Sequence, residues 1–245
     1  GNPYRPNDGE LTPTRPTSSK EVPAPFRPTS NRLPDSLLTK LEDFIPLPLY
    51  FDNDNPDPNT ANKISDRTYD ECYQNFSNRR LIFETEHARK HPENPLASQE
   101  MTDFFAKDVT SGYRHLLQFA DVLLSRLKAG DKIEIGLQGF ASPRSKTEYN
   151  QNLGHRRTAT MLNFFKTAKN NAFESYLSSG QLVLIEKSFG ESTASNRVSD
   201  SLFDDGESVY SIEASLERRL EILEINSQPN TSKLVIPEQE TKNQK

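Results

Sequence analysis

Only one cysteine occurs in the 245 residues, Cys72, so no internal disulfide can form. That leaves the compartment open, because many envelope domains fold without a disulfide. Long apolar runs are missing too: nothing approaches the ~20 apolar residues of a membrane-spanning helix, and the stretch from Gly1 does not read as a signal peptide. Hydrophobic residues are scarce at 33%, with a mean hydropathy of −0.79, so not all of the chain can be core. Neither sign of charge is concentrated: 30 basic and 35 acidic residues leave a net charge of −5, without a long block of like charge or a basic stripe interleaved with aromatics. This argues against nucleic acid as a partner. Catalytic signatures are lacking as well. His115 and His155 fall on expected helices far in sequence from Cys72, and there is no nucleophile elbow or zinc-ligand motif, so the expectation is a protein that is not an enzyme and holds no cofactor or metal.

What the ends have in plenty is proline. Pro3, Pro6, Pro13, Pro16, Pro23, Pro25, Pro28 and Pro34 stand among Thr, Ser, Asn and Arg, so residues 1–36 read as a disordered, extended linker without regular secondary structure, leading from something upstream. Residues 227–245 read as a polar, equally disordered tail, in which Leu234, Val235 and Ile236 can make a brief extended contact. One domain is expected between them, over 37–226.

Ile45, Leu47, Leu49 and Phe51 alternate with Pro46, Pro48 and Tyr50, which predicts a strand over 44–51 at a sheet edge, because proline removes ladder donors. Asp52 to Pro58 reads as an Asx-rich turn rather than a calcium loop, lacking the glycine and terminal glutamate of the latter. A helix over 68–90, stopped by Pro92, makes 53–98 an insertion. His87 and His91 read as its solvated end rather than a metal pair. Phe105, Val109, Leu116, Ala120, Leu123 and Leu127 predict an amphipathic helix over 101–128, ended by Gly130. A strand over 132–139 follows, with Ile133, Ile135 and Leu137 on one side. Then come a helix over 147–169, a short strand over 182–185, a helical turn within 208–215 and a strand over 218–225. The fold class expected is α/β (α+β): one mixed sheet of about four strands, with both long helices on one face.

The functional signal lies where the 132–139 strand passes through a polar loop into a helix, the usual place for ligand crevices in open sheets. Tyr149, Leu153, Arg157, Met161 and Phe164 fall on one helical stripe, so Arg157 points with the apolar face and Arg156 away from it. A guanidinium so placed needs an acceptor. Either an internal salt bridge with Asp52, Asp54 or Glu217 supplies it, or a ligand does.

The segment from Gly139 through Tyr149-Asn150, Leu153 and Arg156-Arg157 resembles the signature of the OmpA-like peptidoglycan-binding family, approximately G-H-T-D, a loop, then Y-N-x-x-L-S-x-x-R-A. Gly190-Glu191 is similar to that family's G-x-G-E turn, and Glu217-Arg218-Arg219-Leu220-Glu221 to its closing N-R-R-V-E. The resemblance runs from about Pro48 to Ile225, and its wording looks most like a subgroup that includes proteins of type IX secretion and gliding machinery. It implies an OmpA-like βαβαβ-type sandwich that binds peptidoglycan non-covalently through the diaminopimelate of the stem peptide. The protein would then be periplasmic, associated with the cell wall and the outer membrane. By resemblance, Arg157 holds the ligand carboxylate, assisted by Asn150, and Ser142, next to Ala141 of the same binding loop, occupies the position of the family's ammonium-binding aspartate. Ser142 carries no charge, so Asp54 is the expected substitute, with Arg218 as a second cation unless it pairs with Glu217 or Glu213. The alternative is an OmpA-like protein-interaction domain of an envelope or secretion complex that has lost wall binding.

Overall fold

In a computed structural model of the chain, residues 34–141, 147–187 and 209–230 are described. Four strands form one mixed sheet in the order β1-β4-β2-β3: β1 (Leu47–Tyr50), β2 (Lys132–Gly139), β3 (Leu182–Glu186) and β4 (Arg219–Gln228). β1 and β2 each run antiparallel to β4, and β2 runs parallel to β3. β1 is thus an edge strand, where Pro48 removes no interior ladder bond.

The helices are α1 (Tyr69–Asn78), α2 (Arg80–Lys90), α3 (Ala97–Phe104), α4 (Ser111–Ala129), α5 (Thr147–Asn171), α6 (Glu174–Ser178) and α7 (Ile212–Glu217). A π-helical segment, Phe105–Thr110, carries α3 into α4. As the alternation predicted, Ile133, Ile135 and Leu137 form one core with Leu116, Phe119 and Leu123 of α4 and with Met161, Phe164 and Phe165 of α5. Both long helices therefore pack on one face of the sheet. β4 keeps its inward side chains in phase through a bulge opposite Gly136 and Leu137, so that Leu220, Ile222 and Ile225 all reach this core. Gly112 lets α4 approach closely: a Cβ there would stand 2.7 Å from the Pro48 carbonyl oxygen.

Several boundaries differ from expectation. The helix foreseen over 68–90 is two helices, broken at Arg79. The one foreseen over 101–128 begins at Ala97 and contains the π-helical segment. The expected solvated helix end is half wrong: His87 is buried, and its Nδ1 lies 3.1 Å from the Tyr210 carbonyl. The fold also starts before residue 37, because Asp35, in a 3-10 turn over Asp35–Leu37, reaches His115 Nε2 at 2.8 Å. At the other end β4 runs to Gln228, two residues into the expected tail. The linker residues 1–33, the Gly190-Glu191 turn and Leu234, Val235 and Ile236 lie outside the described residues.

A second cluster surrounds Tyr50, whose side chain emerges on the sheet face opposite Leu49. Phe76 of α1, Phe83 of α2, Met101 and Phe104 of α3, and Ile212 and Leu216 of α7 pack there. The 53–98 insertion contributes Phe76 and Phe83 to this layer, and its Tyr69 hydroxyl donates to the Tyr50 carbonyl of β1 at 3.3 Å.

Candidate functional site

β1 leaves the sheet through an acidic loop that its own side chains shape. Asn53 N donates to Asp52 Oδ1 at 2.6 Å, Asn55 Nδ2 to Asn53 O at 3.0 Å, and Asn59 N to Asp54 Oδ2 at 2.9 Å. Asp54, Asp57 and Asn59 have φ of 55°, 52° and 60°, the left-handed region that Asp and Asn tolerate through local hydrogen bonds. The Asx-rich turn expected from the sequence is what forms. Its carboxylates are engaged: Asp52 is ion-paired with Arg79, and Asp54 Oδ1 accepts from the Tyr149 hydroxyl at 2.5 Å. Among the described residues no three His, Cys, Asp or Glu side chains are grouped as a metal site requires.

Two arginines of α5 lie under this loop. Arg157 is 0% exposed: its Nε donates to Asn55 O at 3.0 Å, its Nη1 donates to Phe140 O, and its guanidinium carbon sits 5.1 Å from the centre of the Phe51 ring. The group therefore bridges the β1 loop and the chain leaving β2. None of the three expected acceptors, Asp52, Asp54 and Glu217, forms an ion pair with it among the described residues; the Asn55 and Phe140 carbonyls take that place. Its Nη2 is buried and has no hydrogen-bond partner among the described residues. Removal from water, followed by the neighbouring Arg218 charge, lowers Arg157 from an ordinary arginine to about 9, with Asp54 opposing the shift.

Arg156 corrects the reading that it points away. It is as buried as Arg157, donating from Nε to Pro56 O at 3.1 Å and from Nη1 to Thr60 O at 3.0 Å and Asn62 O at 2.8 Å. Its guanidinium lies 5.4 Å from the Tyr149 ring centre. Asn152 and Asn163 add bonds from α5 to the carbonyls of Ala61, Ser65 and Arg67. The loop thus covers the helix face that the apolar stripe had marked as outward.

Of the residues expected at the site, Arg157, Asp54 and Ala141 come together around the ends of β1 and β2. Asn150 is half-buried and engaged two turns before Arg157 on α5. Ser142 lies outside the described residues. Arg218 is buried just before β4 rather than on it, donating from Nη2 to Val209 O at 2.7 Å and Ser215 Oγ at 2.8 Å. The Glu217 pair foreseen for it belongs to Arg219, which bonds Glu217 at 3.5 Å and Glu221 at 2.5 Å and stacks 4.1 Å from the Phe140 ring centre. Arg157 is closed off from solvent, with the Asn55 and Phe140 carbonyls on its guanidinium.

Compared with protein families, curated proteins and solved structures, the chain matches none. The chemistry of the site is that of a buried cation at strand ends, where a planar guanidinium with one nitrogen unpartnered among the described residues favours a carboxylate. No helix among the described residues is long and apolar enough to cross a membrane.

Proposed function

We propose that this domain binds a carboxylate-bearing peptide without catalysing a reaction, and that the ligand is the stem peptide of peptidoglycan, held through its diamino acid. Such binding would anchor a periplasmic envelope protein to the cell wall. The observation that carries the reading is the buried Arg157, with Nη2 unpartnered and no carboxylate within ion-pair distance among the described residues. A buried charge without a counter-ion is expensive, and a ligand carboxylate would offset the cost. Support also comes from the place of Gly139 to Ala141 and α5 at the C-terminal end of β2, and from the motif order that resembles the OmpA-like family.

Calorimetric titration with a diaminopimelate-containing stem peptide tests this. Arg157→Ala should weaken binding at least about thirtyfold, as loss of a buried charge partner does, with urea unfolding followed in parallel because Arg157 also holds two loop carbonyls. Ser142→Asp should strengthen binding if an ammonium lies beside it. Unchanged affinity in Arg157→Ala would refute the assigned site.

One observation favours a second reading, an interaction domain of an envelope or secretion complex. Asp54, the expected substitute for the family aspartate, already accepts from Tyr149 and from Asn59 N. If the unaltered chain binds no stem peptide, this reading takes precedence.

A further inference from the structure

Among the described residues the sheet ends at β3, a short strand whose first four residues are all aliphatic and whose charge is confined to Glu186 at its end. Among the described residues β3 pairs only with β2. Ile133 N donates to Gln181 O at 2.8 Å and Lys187 N to Leu137 O at 2.7 Å, so by alternation the N–H and C=O groups of Leu182, Leu184 and Glu186 face away from the sheet. From Leu182 to Ile185 the strand is aliphatic on both faces, without the proline, lysine or bulge that discourages edge pairing. On the α5 side it borders a groove of about 680 Å³, walled by Leu162, Leu177, Leu184 and Ile64. Ile64 is 74% exposed and Leu162 37%, and on the opposite face of β3 Ile185 is 36% exposed. These apolar groups lie together around one edge.

We infer that this edge is an interface between two copies of the chain, which pair through antiparallel β3 strands about a twofold axis at Leu184. The register follows from the backbone. Outward groups fall on alternate residues, so they meet when Leu184 faces the second copy's Leu184, and Leu182 then faces the second copy's Glu186. Each opposed pair exchanges two hydrogen bonds. Between them Val183 faces the second copy's Ile185, an aliphatic pair that covers the exposed isoleucine. The contact is isologous and closes on itself, as twofold interfaces do.

Charge selects a second copy over an unrelated strand. Glu186 Oε1 lies 2.9 Å from His155 Nδ1 and accepts from Thr158 Oγ1 at 2.8 Å, while Oε2 has no partner among the described residues. α5 runs antiparallel to β3, so His155 stands over the end of β3 and Lys166 over its start, where both Lys166 and Leu182 line the groove. Lys166 is exposed and has no ion pair among the described residues. Placing the second copy's Glu186 opposite Leu182 brings its carboxylate to Lys166, and the twofold repeats the pair. The two sheets become one, and the grooves join between two α5 helices.

Sedimentation of the full chain from low-micromolar to sub-millimolar concentration tests the inference. A monomer–dimer equilibrium is expected. Lys166→Glu and Glu186→Lys should each weaken the dimer at least about tenfold, and the double exchange should return it to within about threefold of the unaltered chain. Lys166 is an exposed helix position, so K166E keeps the fold and the test holds even if E186K does not. The Leu184 amide should gain hydrogen-exchange protection as concentration rises. A monomer at every concentration overturns the inference, as does a dimer indifferent to both single exchanges. Concentration-independent protection of Leu184 also overturns it, because a segment of the same chain would then occupy the edge.

Discussion

Arg156 and Arg157 are neighbours in sequence, and a helix separates their directions by about 100°. The sequence therefore marked one as inward and the other as outward, and for Arg157 the stripe through Leu153 and Met161 was a sound guide. For Arg156 it was not, because burial there comes from an irregular loop that has no periodicity to announce where it lies. The one sign was indirect. Residues 53–62 are rich in Asp, Asn and Pro, and such a loop carries carbonyls that need donors from elsewhere. Arg156 supplies them to Pro56, Thr60 and Asn62 at once. Arg156→Ala should accordingly destabilise the protein by about 2 to 4 kcal/mol, because it leaves buried carbonyls without their donor. Arg156→Lys should recover little of this, since a single ammonium cannot span three carbonyls as a planar fork does. Urea unfolding measures both, and a loss below about 1 kcal/mol for the alanine variant would show that the loop is held by other means.

Among the elements, β2 was legible to the residue because its two faces differ so sharply in polarity. The 68–90 helix was not. Phe76 and Phe83 stack edge-to-face with centroids 5.2 Å apart, yet seven residues of unbroken helix would separate them by about 10 Å along the axis. Their contact requires the bend at Arg79, and nothing in a helical spacing pattern encodes that. The same bend carries the end of α2 against residues 209–212, which is why His87 is buried instead of solvated. Burial is the main reason that His87 is held below the usual histidine range, with His91 adding to the shift and Glu213 and the Tyr210 carbonyl opposing it. The sign follows from proton linkage. The unfolded chain takes up a proton near pH 6.5 before the folded one does, so the contribution of neutral His87 is intact above that pH and is lost as pH falls through the lowered folded value. Stability measured by urea unfolding from neutral to mildly acidic pH should fall more steeply for the unaltered chain than for His87→Gln. Parallel curves would mean that other groups set the acid response.

At the scale of the whole molecule, the order of strands and helices and the placing of both long helices on one face were readable from period-two and helical spacing. The second apolar cluster was not, because its members come from α1, α2, α3, α7 and β1, and each looked like a local helix face or an odd aromatic in its own stretch. Residues 53–98 read as an insertion, a description that suggests an appendage. The packing argues the opposite: α1 places Tyr69 and Cys72 in the main core and Phe76 in the second cluster, so it joins the two. The insertion and the sheet should therefore unfold in one cooperative transition. Phe76→Ala, removing a fully buried ring, should cost about 3 to 5 kcal/mol. Leu81→Ala, on the exposed side of α2, should change stability by no more than about 0.5 kcal/mol. Urea unfolding should be followed by circular dichroism and, separately, by hydrogen exchange of β2 amides such as Ile135. If Phe76→Ala loosens the helices while the β2 amides keep their full protection, the insertion is a separate unit and the joined-core account is wrong. If β2 protection falls with the helical signal, the insertion is part of the same fold that holds Arg157 beneath its loop.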